Sequence, residues 1–427
     1  MRMAFGPTLN TINIPDCDQN VLLFCHSSSS NKAVGAVGGT LKDIILRKKF
    51  VADPKAWDLL SIALSVICAD LAGHRNKSPD GWTRTFDLSI SVADPHLWTP
   101  NAGIIIDLLA YLTTDRWTLE FRPNGFSPAI PPKPVYPQED CVMLLSGGLD
   151  SLVGLIDKVT EGRKPLMVSQ TVRGDAKNQC LFASNIGTGF LHLQLNHNAE
   201  LPNPENPPSQ RARSILFLAY GVFVATMLSD YKAGKRISLY VCENGFIAIN
   251  PPLTGARIGS LSTRTTHPVV LSKMQQLLDE IGINVNIENP YRFKTKGEMM
   301  AECQEQNQLF QHASKSTSCG RFKQFGYKHC GRCLPCLVRR AAFLKWGKTD
   351  DTRYVRKDLG RDDPDYAGFD DVRSSLMGIE ECKELGLAKW LGPTISSPLI
   401  SDKGDLRDMA QRGLNEIEQL LISLKVK

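Results

Sequence analysis

The sequence predicts an α/β protein built on a parallel, doubly wound sheet, and three observations predict it. Short apolar strands alternate with helix-length segments after residue 140, a glycine loop joins the first of those strands to a helix, and four cysteines cluster near the end of the series. The chain has 427 residues, 42% hydrophobic and 22% charged. At roughly 100 to 200 residues per domain this makes about two to four domains with ordinary cores, and it excludes wholesale disorder. The strongest uncharged apolar run, Ile215 to Leu228, has 14 residues; a membrane span needs roughly 20, so this is a buried helix. The first residues lack the apolar core and cleavage site of a secretory signal, so a cytoplasmic chain with no membrane partner is expected.

In chain order, Asp53 to Gly73 has helical apolar spacing and Thr83 to Asp94 alternates with period two. A helix near Ile104 to Leu112 and a strand near Trp117 to Arg122 complete an N-terminal α+β domain, residues 1–122, in which nothing points to chemistry. Pro123 to Pro137 holds six prolines in 15 residues and can be neither helix nor central strand. It reads as a linker, 123–139. Strand-like runs follow at Cys141 to Leu145, Pro165 to Thr171, Phe190 to Leu195, Ile237 to Cys242 and Ile283 to Glu288. They define a domain over 140–348, whose ligands would bind beyond the carboxyl ends of the strands. The remainder, 349–427, is a helical extension with an amphipathic helix from Leu406 to Leu424, and no internal repeat is visible.

Ser146-Gly147-Gly148-Leu149-Asp150-Ser151 follows the first of these strands directly and opens a helical pattern. Two glycines let backbone N–H groups approach an anion, the helix N-terminus adds its positive dipole and the serines add donors, which together make a pyrophosphate cradle. Asp150 would suit bare phosphate badly, so it holds a bridging Mg²⁺ or caps the helix. Gly-Gly and Asp also suit a plain strand–turn–helix connection. The lysine of a Walker A loop is missing.

Of twelve cysteines, eight are scattered, while Cys319, Cys330, Cys333 and Cys336 fall within 18 residues. In a chain this long the cluster reads as a metal site in a reducing compartment rather than a disulfide framework. Four thiolates suit a tetrahedral Zn²⁺, although spacing alone also admits an iron–sulfur cluster. His329 reads as a surface residue and a dispensable substitute ligand. The net charge of +6 is mild, but Cys319 to Lys357 carries 11 Lys or Arg against 2 Asp. Arg321, Lys323, Lys328, Arg332, Arg339 and Arg340 could offset the charge of the thiolates. Cys180 and Cys242, isolated in apolar segments, read as core residues rather than nucleophiles.

The SGGLDS loop resembles that of the PP-loop ATP pyrophosphatases. Together with Ser318, Cys319, Cys330, Gly331, Cys333, Cys336 and Arg339 it is similar to the QueC family, the 7-cyano-7-deazaguanine synthases, over about half the chain. The resemblance implies ATP with Mg²⁺ on Ser146 to Ser151, with Ser146, Asp150, Ser151 and Lys296 catalytic and Ser169 and Gln170 beside the adenine. Lys296 lies in FKTKGEMM, where Thr295 and Glu298 form a capping-box pattern; a first-turn surface lysine is the plain alternative. Arg213 stands where the family has an Arg-Asn pair, the Asn being replaced by Ser214, and the resemblance implies that Arg213 contacts the nucleotide. Glu243, Asn244 and Gly245, just past a strand end, are where the topology puts a substrate contact, or else a simple turn.

The same resemblance implies adenylation of a deazaguanine carboxylate, 7-carboxy-7-deazaguanine or a similar compound, and formation of an amide or nitrile. About 140 residues before the loop and about 80 after the cysteines depart from the family pattern. QueC-like proteins so extended resemble the QatC component of bacterial anti-phage defence operons, which implies a protein partner from such an operon and, with it, a protein amine as acceptor. A PP-loop enzyme that modifies tRNA on the basic face is the less favoured reading, and a nucleotide-sensing scaffold without turnover is the non-enzymatic one.

Overall fold

In the computed structural model of the chain, which describes residues 1–27, 32–171, 174–207, 211–254, 264–359 and 371–426, the fold is α/β with two five-stranded, all-parallel sheets. The first is built from β1 (Arg2–Gly6), β2 (Gln19–Cys25), β3 (Val34–Gly38), β4 (Thr85–Ser91) and β5 (Arg116–Arg122), in the order β3-β2-β1-β4-β5. Phe5 pairs with Val21 on one side and Ile90 on the other, which puts three buried apolar side chains in one row. Between the strands run α1 (Leu9–Ile12), α2 (Gly39–Arg47), α3 (Pro54–Ala72) and α4 (Pro95–Thr113). The helix expected at residues 53–73 is α3: Asp53 caps it by accepting from Lys55 N at 2.9 Å, and Pro54 stands in its first turn, where a missing N–H costs nothing.

The N-terminal segment is therefore not α+β as expected, but a parallel sheet. Local residues determine whether a segment is a strand, whereas the direction of pairing follows from right-handed crossovers that alternation alone does not reveal. The proline-rich stretch forms no helix or strand beyond a single bridge at Val135, and Phe126 anchors it against Phe24 and Trp57 with ring centroids 4.6 and 5.0 Å away.

The second sheet comprises β6 (Cys141–Leu144), β7 (Pro165–Gln170), β8 (His192–Leu195), β9 (Ile237–Tyr240) and β10 (Val285–Glu288), ordered β10-β9-β6-β7-β8. All five lie where apolar runs are expected, each one or two residues shorter. Their helices are α5 (Leu149–Thr160), α6 (Ala176–Asn185), α7 (Arg213–Ala225), α8 (Ser229–Lys232), α9 (Gly245–Ala248) and α10 (Pro268–Glu280). Then come α11 (Lys296–Ala301), α12 (Gln306–Ala313), α13 (Leu334–Trp346), α14 (Asp371–Leu385), α15 (Leu387–Ile395) and α16 (Lys403–Ser423). Helix α7 is the buried apolar run, and no helix among the described residues is long and apolar enough to cross a membrane.

The chain divides into two compact units, each discontinuous in sequence: Met1–Val142, Leu193–Leu239 and Val270–Ile287 form one, and Met143–His192, Tyr240–Val269 and Glu288–Lys427 the other. In the second sheet the strand order reverses at β6, so β6 and β9, the first and fourth strands of the series, are neighbours whose following chains leave in opposite directions. The crevice at their carboxyl ends is where open α/β sheets take ligands. Both loops that form it, after Leu144 and after Tyr240, belong to the second unit.

Candidate functional site

The loop after β6 is organised by its own serines. Ser146 Oγ accepts from Gly148 N at 3.2 Å and lies 3.1 Å from Ser151 Oγ, while Ser151 donates to Gly148 O at 3.0 Å. Gly147 has φ +85°, a left-handed conformation that glycine adopts without strain. Gly148 is the N-cap of α5 and supplies no side-chain cap, so the first N–H groups of the helix are directed into the loop, where an anion would satisfy them.

Asp150, in the first turn of α5, does not cap the helix. Its Oδ2 accepts from Asn244 N at 3.1 Å and Asn244 Nδ2 at 2.7 Å, and its Oδ1 pairs with the ammonium of Lys296. All three residues are buried. The fold thus brings together Asp150, Asn244 and Lys296, which are far apart in sequence, at the reversal of strand order. A carboxylate here already takes a cation, the Lys296 ammonium, and a Mg²⁺ on Asp150 would share the carboxylate with that ammonium or displace it. Lys296 begins α11 behind the expected capping box: Thr295 Oγ1 accepts from Glu298 N at 3.1 Å, and Thr295 N donates to Glu298 Oε2 at 2.9 Å. It is no surface lysine.

Asn244 caps α9 by accepting from Ile247 N at 3.0 Å. Gly245 is there for close approach, since a Cβ on it would lie 2.0 Å from Arg292 O, and its N–H donates to Tyr291 O and Lys294 O. Glu243 accepts from the Thr266 hydroxyl through Oε2 and from Asn289 Nδ2 through its carbonyl at 2.9 Å. Ser169 is fully buried, with its hydroxyl donating to Leu145 O at 2.6 Å, so its side chain is already committed within the sheet. Gln170 is buried at the end of β7. Arg213 opens α7, which belongs to the first unit.

Sequence reasoning missed two residues that hold the loop. Gln179, on α6 and 1% exposed, donates to Ser146 O at 3.2 Å and Gln170 O at 3.1 Å, tying the loop to the end of β7. Thr317 N donates to Gly147 O at 3.0 Å and its segment bridges Gly148. A glutamine inside a helix carries no signal, but Thr317 stands two residues before the first clustered cysteine.

Those cysteines are buried and converge. The four Sγ atoms lie within 4.8 Å of one another, with Cys319 and Cys333 at 3.8 Å and Cys330 and Cys336 at 3.9 Å. A disulfide requires about 2.05 Å, whereas four sulfurs at about 2.3 Å from a central Zn²⁺ stand about 3.8 Å apart along the edges of a tetrahedron. The set fits a zinc ion. Backbone N–H groups of Arg321 and Cys330 reach Cys319 Sγ, and that of Cys333 reaches Cys330 Sγ, each at 3.3 Å, which stabilises thiolate. Cys333 stands at the N-cap position of α13, where the helix dipole also favours negative sulfur.

Two expectations around the cluster change. His329 is buried, not a surface residue; burial pushes its pKa down to about 4, and the neutral ring accepts from Ser318 N at 3.1 Å. Arg332 and Arg340 donate to backbone carbonyls, and the fully buried Arg339 donates to Ser316, Ser318, Thr352 and Ala313 O, so these cations also build the knuckle. Cys242 is buried and its thiol is pushed up by desolvation, as befits a core residue, but Cys180 is exposed on α6 and does not belong to the core.

Comparison with protein-family models and with curated proteins finds no match for the chain.

Proposed function

We propose that the crevice between β6 and β9 binds ATP with Mg²⁺ and that the protein adenylates a deazaguanine carboxylate, 7-carboxy-7-deazaguanine or a close relative. The observation that carries the reading is the meeting of Asp150, Asn244 and Lys296 beside an uncapped helix N-terminus. The sequence resemblance to QueC-like PP-loop enzymes at Ser146 to Ser151 and at the zinc motif supplies the substrate class.

In this reading Gly147, Gly148 and Leu149 place backbone N–H groups against the phosphates, and Ser146 and Ser151 add hydroxyl donors. Mg²⁺ supplies charge neutralisation of the phosphates, and Asp150 is the carboxylate that would hold it. Lys296, once its partner turns to the metal, is free to meet the α-phosphate. The substrate carboxylate oxygen attacks the α-phosphorus, the bond to the bridging oxygen breaks, and pyrophosphate leaves. An amine then attacks the acyl carbon and AMP departs with loss of a proton from nitrogen. Ammonia gives the amide, and a second activation of its oxygen gives the nitrile. In an extended, QatC-like chain the acceptor is an amine of a partner protein. Positioning and charge carry most of such a reaction, which agrees with a site in which no acid–base pair is evident among the described residues.

The test is pyrophosphate release from ATP and Mg²⁺ with and without 7-carboxy-7-deazaguanine. Release is expected to depend on the deazaguanine, and Asp150→Asn or Ser146→Ala is expected to lower it about a hundredfold or more. Full release by either variant would refute the site, and ATP binding without release in the presence of every acceptor would favour the scaffold.

A further inference from the structure

Away from the crevice, the carboxyl half of α13, the segment from Lys348 to Lys357 and the last turn of α16 enclose a groove of about 830 Å³. Its charges divide into those already committed and those that are not. Asp350 accepts from the Tyr354 hydroxyl at 2.7 Å and from Thr352 N at 3.0 Å, and Arg340 donates to Lys357 O at 2.6 Å while lying 4.8 Å above the Tyr354 ring. Lys348, Arg353 and Lys357 are exposed and have no acidic partner among the described residues. Against these three cations stands one exposed carboxylate, Asp351.

The lining between them is aliphatic. Leu344 is 48% exposed and Leu424 39%, while Phe343 is only 2% exposed and Tyr354 is covered by Arg340. We propose that this groove docks an acidic, leucine-bearing segment of a partner protein, with carboxylates on Lys348, Arg353 and Lys357 and aliphatic side chains on Leu344 and Leu424. Charge complementarity selects an acidic chain. The lining selects protein over single-stranded nucleic acid, because bases bind to exposed aromatic faces and both aromatic rings here are covered. The inference does not depend on the adenylation reading, since it uses no residue of the crevice.

The experiment measures fluorescence anisotropy of the full chain with a labelled peptide of alternating glutamate and leucine, and in parallel with labelled polyuridylate. The peptide is expected to bind and to weaken with rising salt. Reversing Lys348, Arg353 and Lys357 together to Glu should weaken it about tenfold, as three exposed ion pairs would. Leu344→Asp should weaken it at unchanged salt, and Lys389→Glu, exposed on α15, should leave it unaltered. The proposal is overturned if the peptide does not bind, if it binds the triple variant as tightly as the wild type, or if polyuridylate binds more tightly and is the probe lost on charge reversal.

Discussion

Single residues do their work here through burial and the partners that burial forces on them. Glu416 on α16 accepts from the Thr295 hydroxyl at the start of α11, and burial pushes its pKa up to about 7 from an ordinary 4.5. A carboxyl whose folded pKa is raised holds its proton more tightly in the folded state, so the protein loses stability as pH rises from about 4.5 through about 7. Glu416→Gln keeps an oxygen for Thr295 and removes the titration. It is expected to match the wild type at pH 4.5 and to exceed it at pH 8 by on the order of 1 to 2 kcal/mol. Urea denaturation at the two pH values reads this directly, and an equal loss by both proteins would show that Glu416 ionises freely. The first unit uses burial differently. Asp115 accepts from Arg75 and Arg84, and Arg84 also pairs with Asp70, all nearly inaccessible, so a charge cluster ties the end of α3 to the starts of β4 and β5. Nothing in the local sequence around these four residues announces it, because each is an ordinary charged residue until the fold removes its water.

At the scale of elements, the cysteine cluster supports the loop after β6. Ser318, one residue before Cys319, donates to His329, one residue before Cys330, and Arg339 reaches Ser316 and Ser318, so Thr317 is held where its N–H meets Gly147 O. A metal on the four sulfurs should therefore slow amide exchange at Thr317. Zinc-loaded protein stripped by a chelator is expected to show faster exchange at Thr317 and Gly148 with little change in the central strand β6. Exchange at Thr317 that is indifferent to the metal would mean that the knuckle holds itself and not the loop. The elements themselves were legible where one residue pattern decides them: the capping box at Thr295 and Glu298, the Asp53–Pro54 start of α3, and the strand runs of the second sheet. The pairing of Asp150 with Asn244 and Lys296 was not, since it depends on β9 lying beside β6 rather than on anything near Asp150.

Across the whole molecule, the two sheets share one strand order without any sequence repeat, and the C-terminal segment is part of the second unit. Leu406, Met409, Leu414, Ile417, Leu420 and Leu421 of α16 are buried, and Gly413 passes so close to Phe246 of α9 that a Cβ would fall 2.2 Å from its ring. Each such side chain contributes about 1.5 to 3 kcal/mol, so their sum rivals the whole stability of a domain, about 5 to 15 kcal/mol. A chain ending at Asp402 is expected to lose near-UV circular dichroism from the second unit and to aggregate; a truncated protein with an unchanged thermal midpoint would show α16 to be dispensable. By itself the sequence determined the glycine turn after β6, the four-cysteine set that could hold a metal and most strands and helices, because backbone freedom, thiol chemistry and hydrophobic periodicity are properties of residues and their near neighbours. Only the tertiary structure decided that the N-terminal sheet is parallel, that Lys296 meets Asp150, that His329 is buried and that Gln179 and Thr317 hold the loop. Those facts rest on contacts between residues distant in the chain, which exist only once crossovers and packing have chosen which strand lies beside which.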